Sequence, residues 1–358
     1  RQRGEAVFNQ LVYPPSGNNG TLNGGAVDTA TAALNGRQTV TGVSWNEAGS
    51  ITLRAKMLND TYLGIADISA KPASAVIGRF YPDNFALVRS EVKNSCSNFS
   101  YMSQPALMVN YQLEAKGRGG NTLQNYHSSF YPSGAATLLT VAQDNNTRLA
   151  ADRLSVQTAQ WQQGVYRVQQ NNASFNRAAL PDGPYSNMQL GLQVVSEQDS
   201  RNFTAFTLGT DALALSGALN MRFGRLVLQN SGGPEDEPVP LAFKTEYWQD
   251  GRFINNVDDN CSLISNSSAL LSTISGTPAL SMTGAGGAVQ NGRFPAQSLT
   301  LAPPGVPGVW QVEYMAEPWL QYYWRGASPN YQQNPQAEIM FGRFRGNPRQ
   351  IFWRELFR

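Results

Sequence analysis

The chain has 358 residues, more than one ordinary hydrophobic core accommodates, so two or three domains are expected. Charged residues make up 15% of it and the formal net charge is +2 with Lys and Arg scattered, so no electrostatic footprint for nucleic acid or an acidic membrane is visible. No run of about 18 apolar residues occurs, which excludes a spanning helix, and a start at Arg1 without a signal-peptide pattern reads as a fragment or processed product.

From residue 1 to 42 the chain is rich in Gly, Asn, Thr and Ala, with a turn-prone run from Pro14 to Gly20, as in short strands joined by polar connections. Ile51, Leu53, Ala55 and Met57 then alternate with Thr52, Arg54 and Lys56, the period of a half-buried strand. Residues 77–87 form an apolar strand interrupted by Pro82-Asp83-Asn84, where we place a domain junction. The clearest strand has Leu107, Val109, Tyr111, Leu113 and Ala115 opposed to Met108, Asn110, Gln112, Glu114 and Lys116, closed by the turn Gly117 to Asn121. Further period-two runs are expected at 136–141, 154–158, 165–169, 188–194 and 203–208. A second junction falls near 221–230, followed by the acidic loop Glu235-Asp236-Glu237 and an alternating segment from Val239 to Trp248. Residues 262–290 read as a partly mobile region of short strands. The closing stretch, from Glu317 to Phe357, is dense in Trp, Tyr and Phe, and a terminus of that kind docks into a core or an interface.

No run repeats at helical spacing for three turns. The fold class is therefore all-β, as two or three β-sandwich (Ig-like) domains in series. The expected division is 1–77, 78–222 and 223–358, the last closed by the aromatic terminal strands.

Gly-Arg pairs recur at Gly78-Arg79, Gly224-Arg225, Gly292-Arg293 and Gly342-Arg343. A small residue before a long cation lets a guanidinium lie over a neighbouring ring, although irregular spacing rules out a strict repeat. The two cysteines, Cys96 and Cys261, sit in polar turn sequences. If they pair, the bridge closes a loop of roughly 165 residues, contributes ~4 to 5 kcal/mol and implies an oxidising compartment; two unrelated thiols are the alternative.

Chemistry is thinly represented. The one histidine, His127, precedes Ser128 and Ser129; either it pairs with one of them and a distant carboxylate, or it is a locally bonded loop residue, the reading we favour. One His and two separated Cys do not make a zinc site, and no glycine-rich strand-to-helix turn for a cofactor is present, so no metal and no cofactor is expected. Asp258 with Asp259, or Glu235 to Glu237, fit either a glycosidase or calcium site or, as we favour, solvated turns. Trp319, Tyr322, Tyr323, Trp324 and Tyr331 are the binding candidates: facing out they form a platform for sugar rings or a partner, facing in they are core.

Several stretches together resemble the C-terminal region of the MshQ-like proteins, which accompany the mannose-sensitive haemagglutinin (MSHA) pilus, a type IV pilus. They are Ser44 to Leu53 with Tyr62-Leu63-Gly64, Gly78 to Phe85, Cys96 to Pro105, Asn125-Tyr126, Phe223 to Asn230, Val239 to Trp248, Asp258 to Cys261 and Trp319 to Phe357. The resemblance implies a non-enzymatic, extracellular bacterial cell-surface protein associated with such a pilus, an adhesin or tip component. Pilus minor subunits, other surface proteins and surface glycans are then the expected partners. Alternatives are a structural subunit that polymerises into a surface filament, and a surface glycoside hydrolase. Relatives commonly carry an acidic calcium-like loop before the last strands, where this chain has Tyr323 to Ser328 and then Pro329 to Pro335, so no calcium is expected there.

Overall fold

The computed structural model describes residues 5–24, 26–27, 41–57, 61–62, 65–66, 73–128, 135–275, 279–295, 298–325 and 331–342. All its extended elements are strands, interrupted by three single-turn 3-10 segments among the described residues, so the class is all-β as the period-two alternation requires.

The N-terminal sheet pairs Glu5–Tyr13 with Gly49–Met57 along nearly their whole length, flanked by Ala26–Val27 and Ile77–Phe80. Ile51 is buried, and Trp45 packs edge-on against Phe80 at 5.1 Å while its indole donates to Asn19 O at 2.8 Å. This sheet is pinned to the next unit by two polar side chains. The Glu47 carboxylate accepts from the backbone N–H groups of Ala48, Gln124 and Asn125 at 2.9, 3.0 and 3.1 Å. Asn125 in turn donates to Asn18 O and Ala48 O. Burial pushes the Glu47 carboxyl above its usual range, against the pull of those three N–H groups.

The central unit is a sandwich. One sheet runs, in spatial order, Ser100–Tyr101, Leu213–Arg222, Tyr185–Ser196, Thr137–Asp144 and Thr147–Arg148. The other runs Leu154–Ser155, Val165–Phe175, Leu107–Lys116 and Asn84–Lys93. The odd residues of 107–115 are buried against Leu138, Ala142, Met188, Leu190 and Leu219 of the facing sheet, so one alternating stripe meets another. Trp161 completes this core, its ring 5.0 Å from Phe85 and 5.1 Å from Tyr126, with its N–H donating to Ala136 O at 2.9 Å.

One expected strand is wrong, and the run expected at 154–158 is a strand only at Leu154–Ser155. Residues 203–208 are irregular: Phe203 makes an isolated bridge to Phe85, Leu208 bridges Ala212 just before the next strand, the Thr207 hydroxyl accepts from Ala214 N–H, and Leu208 packs at Val141 and Gly191. The strand lies instead at Leu213–Arg222, where Leu213, Leu215, Leu219 and Met221 alternate around Gly217. Gly217 holds φ +110°, and a Cβ there would stand 2.3 Å from Val92 O, so this glycine lets the two sheets close on one side.

The C-terminal unit contains the three-stranded sheet Gly224–Gln229, Ala242–Gln249, Arg252–Asn255 and a four-stranded sheet ordered Ser231–Gly233, Gln336–Phe341, Gly308–Tyr314, Ala269–Ser275. Leu226, Leu228, Phe243, Trp310, Val312, Ile339 and Phe341 form its core, with Phe243 against Tyr314 at 4.8 Å. Residues 262–290 do form short strands. The terminal aromatic stretch beyond Gly342, with Arg343, lies outside the described residues.

Leu190→Ala, which opens a cavity between the two central sheets, should lower the unfolding free energy by about 2–5 kcal/mol. Gly217→Ala should cost at least about 1 kcal/mol through its positive φ and the Val92 clash. Urea titration with an unchanged slope checks both.

Candidate functional site

The residues with the densest chemistry gather where the central and C-terminal sheets meet. Cys96 and Cys261 form a disulfide across this joint, with Cα atoms 6.0 Å apart and a sequence separation of 165. Beside it lies a buried polar node. The Tyr101 hydroxyl donates to Asp259 Oδ2 at 2.7 Å and accepts from Asn256 Nδ2 at 2.6 Å. Asp259 also accepts from the Ser262 hydroxyl at 2.7 Å and from the backbone N–H groups of Ser262 and Cys261 at 2.9 and 3.1 Å. Burial, then the neighbouring Asp259 carboxyl, pushes the Tyr101 phenol well above its usual range, so it stays a donor. At the mouth of the node the Arg222 guanidinium lies 4.8 Å over Phe99 and 4.4 Å over Tyr247, and donates to Asn256 and to Asp258, the latter at 2.5 Å.

Asp259 is therefore not a solvated turn: it is fully buried and holds the joint together, whereas Asp258 is paired with Arg222 and keeps about a third of its side chain, 35%, exposed beside the cleft.

The five aromatic candidates lie on the other side of the same joint. Trp319 and Leu320 occupy a single 3-10 turn that packs onto the C-terminal core, while Tyr322 and Tyr331 pack against the central core. All five rings are half-buried. Tyr322 is their hub, with ring centroids 4.9 Å from Phe253, 5.4 Å from Trp324, 5.5 Å from Tyr331 and 6.2 Å from Tyr323. The chain thus folds over as a strap whose rings face partly inward and partly out.

Two arginines hold the strap. Arg177, from the central unit, donates to Gln321 O at 2.8 Å, to Gly224 O at 2.5 Å and to Trp319 O, with its guanidinium 4.5 Å over Phe223. Burial brings Arg177 down to about 10, with Tyr331, Tyr101 and Tyr322 opposing, so it remains a cation at neutral pH. Arg225, the second member of a Gly-Arg pair, lies over Phe253 at 3.8 Å, Tyr322 at 4.9 Å and Trp324 at 5.0 Å. Its other edge donates to Glu246 at 2.6 and 2.9 Å, and Lys244 approaches the same carboxylate at 2.6 Å. Burial raises the Glu246 carboxyl, but Arg225 and Lys244 outweigh it and hold the group below its usual range. Arg225 had a sequence signal in its glycine neighbour; Arg177 and Tyr101 had none.

The remaining candidates are scattered. His127 is half-buried in a loop, and the Ser128 hydroxyl accepts from Trp161 N–H at 2.9 Å. Ser129 and residues 326–330 lie outside the described residues. Among the described residues, Cys96, Asp259 and Cys261 form a group of metal-ligating types within 4.8 Å, and the disulfide occupies both sulfurs. An open cleft of about 340 Å³ beside the disulfide is lined by Asn98, Asp258, Asn260 and Asn291.

The fold and this joint define a protein built of β-sandwich modules in series, two of them locked together by a disulfide, a buried hydroxyl–carboxyl pair and arginine–aromatic contacts. It belongs to the DUF6701 family: residues 47–221 match the family's third domain and residues 222–356 its fourth. The disulfide and the Arg177 contacts both cross that boundary. No curated protein matches the chain.

Replacing both cysteines, Cys96→Ser with Cys261→Ser, should lower the unfolding free energy by ~4 to 5 kcal/mol on the loop-entropy account, read by urea titration. The Glu246 contribution is pH-dependent with a definite sign: because its native carboxyl titrates below the unfolded one, the stabilisation is present above about pH 4.5 and is lost as pH falls through the native value. Glu246→Gln should flatten that part of the acid limb in a stability–pH profile, and Arg225→Ala should cost about 3 kcal/mol at pH 7 by leaving a buried carboxylate short of its main partner.

Proposed function

We propose that this chain is a non-enzymatic bacterial cell-surface protein associated with a type IV, MSHA-like pilus, acting as an adhesin or pilus-tip subunit. The observation that carries the reading is the disulfide across the module boundary, since a bridge of that kind belongs to an oxidising compartment and holds two modules in a set orientation under load. The resemblance to MshQ-like proteins supplies the pilus, and the outward part of the aromatic strap supplies a surface on which a partner protein or glycan can rest. No helix among the described residues is long and apolar enough to cross a membrane.

The test is made in the producing bacterium. Membrane-impermeant biotin should label the protein on intact cells, and in-frame removal of residues 47–356 should reduce adherence to host or abiotic surfaces while pili are still assembled. Protection from the label, or full adherence in the deletion strain, would overturn the proposal. Light scattering decides against the filament alternative if the purified chain stays monomeric at micromolar concentration.

A further inference from the structure

The bridge between the modules is unequal in its access to solvent. Cys96 is 3% exposed, sits in the C-terminal core, and closes a tight turn in which its N–H and C=O pair with Phe99 O and Phe99 N–H at 3.0 and 2.7 Å. Cys261, by contrast, reaches the surface. The cleft of about 340 Å³ runs up to the bridge, and its walls are the short side chains of Ser97, Asn98, Val257, Asp258, Asn260 and Asn291. Among the described residues no aromatic ring and no long cation lines it.

On the buried side of the bridge stands Asp259. It is fully buried, with Oδ1 3.5 Å from Cys261 Sγ, and a carboxylate oxygen lies within 4.8 Å of both sulfurs. A carboxylate there repels an approaching thiolate, so the cleft is the side from which a thiol can arrive. Exchange proceeds by attack of a thiolate on one sulfur, which forms a mixed disulfide there and expels the other, so access decides the direction. Attack at Cys261 leaves the adduct in the cleft and returns Cys96 to the core as a thiol, a small apolar side chain suited to that place. Attack at Cys96 would leave the adduct inside a packed core.

We propose that the cleft is a thiol-exchange site, in which a small thiol or dithiol reductant attacks Cys261 Sγ and unlocks the bridge while both modules stay folded and docked. The reductant's thiolate sulfur bonds to Cys261 Sγ, and the electron pair of the broken S–S bond goes to Cys96 Sγ, which takes up a proton. With a dithiol, the second thiolate then bonds to the first sulfur and releases Cys261 as a thiolate, which is protonated in turn. The bridge thereby gains two electrons and two protons, and the dithiol becomes a cyclic disulfide. The modules stay docked because the bonds among Tyr101, Asp259 and Asn256 and the Arg177 contacts need no sulfur. The inference rests on the bridge and its cleft alone, and stands apart from the pilus reading.

The oxidised full chain tests it. Incubated with glutathione and quenched with acid, it should carry the adduct on Cys261 at least about tenfold more often than on Cys96, read by peptide mass spectrometry. Dithiothreitol should reduce the bridge at a rate that sub-denaturing urea leaves unchanged, because direct attack exposes no new surface, whereas attack on an opened chain quickens with urea. Asn98→Trp, which places a large ring at the cleft wall, should slow that reduction about tenfold without moving the urea midpoint. An adduct that does not favour Cys261, a reduction rate that climbs with urea, or an unchanged rate in folded Asn98→Trp overturns the proposal. The adduct position and the urea dependence are read on the wild type, so they decide the matter should that variant fail to fold.

Discussion

Tyr101 lies in the stretch matching one family domain and packs in the core of the next, and the relation of the two modules hangs on that exchange. Its strand, Ser100–Tyr101, runs parallel beside Leu213–Arg222 of the central sandwich, yet its ring sits 5.0 Å from Phe99 within the C-terminal core. The ring fits because residue 224 is glycine: a Cβ at Gly224 would stand 2.2 Å from it. Once the ring is inside, its hydroxyl needs partners, and Asp259 and Asn256 supply them. The disulfide fixes the turn that begins this strand to the turn that carries Asp259, so covalent and hydrogen-bonded connections constrain the same few ångströms.

A buried hydroxyl–carboxyl pair is not an efficient source of stability, since desolvation offsets much of what the bonds contribute. Its value here is directional. An apolar patch of the same area tolerates small rotations of one module on the other, whereas the five hydrogen bonds around Asp259 and Tyr101 are satisfied together in one arrangement. The arginines act alike on the opposite side. Arg177 spans three carbonyls from two separate segments, and Arg222 sits between the rings of Phe99 and Tyr247 and the Asp258 carboxylate, so shifting either module breaks a planar contact and an ion pair at once.

Alternation made much of the fold legible. The 107–116 strand and the segment at 239–248 stand where period two places them, because a sheet with one buried face imposes that pattern. Leu213–Arg222 was missed although it alternates equally well, because Gly217 interrupts the apolar run at the point where the neighbouring backbone approaches. Phe203–Leu208 is apolar at both ends without being a strand: Phe203 packs into the core beside Phe85, Leu208 packs against Val141, and the residues between them are exposed. The site was less legible. Asp259 in an Asp-Asp-Asn turn reads as solvated, and only the long-range arrival of Tyr101 makes it a core residue. Arg225 was visible through its glycine, whereas Arg177 follows an unremarkable asparagine and acquires its role from a segment more than a hundred residues away.

The strap limits what its rings can bind. Arg225 lies against Phe253, Tyr322 and Trp324, so the ring faces that meet the guanidinium are not open to a flat ligand. Tyr322 is further enclosed edge-to-face by its neighbours and serves as the hub rather than as a platform. What remains outward belongs to Tyr323 and Trp324 at the rim, next to the exposed Arg325, which pairs with Glu313 at 3.4 Å. The Trp324 indole nitrogen is itself buried, so the polar edge of that ring is turned away from the surface. Arg225 and its partners Glu246, Phe253, Tyr322 and Trp324 all lie in the stretch matching the fourth domain, whereas Arg177 reaches the Trp319 and Gln321 carbonyls from the third, so closure of the joint bears on the strap through Arg177.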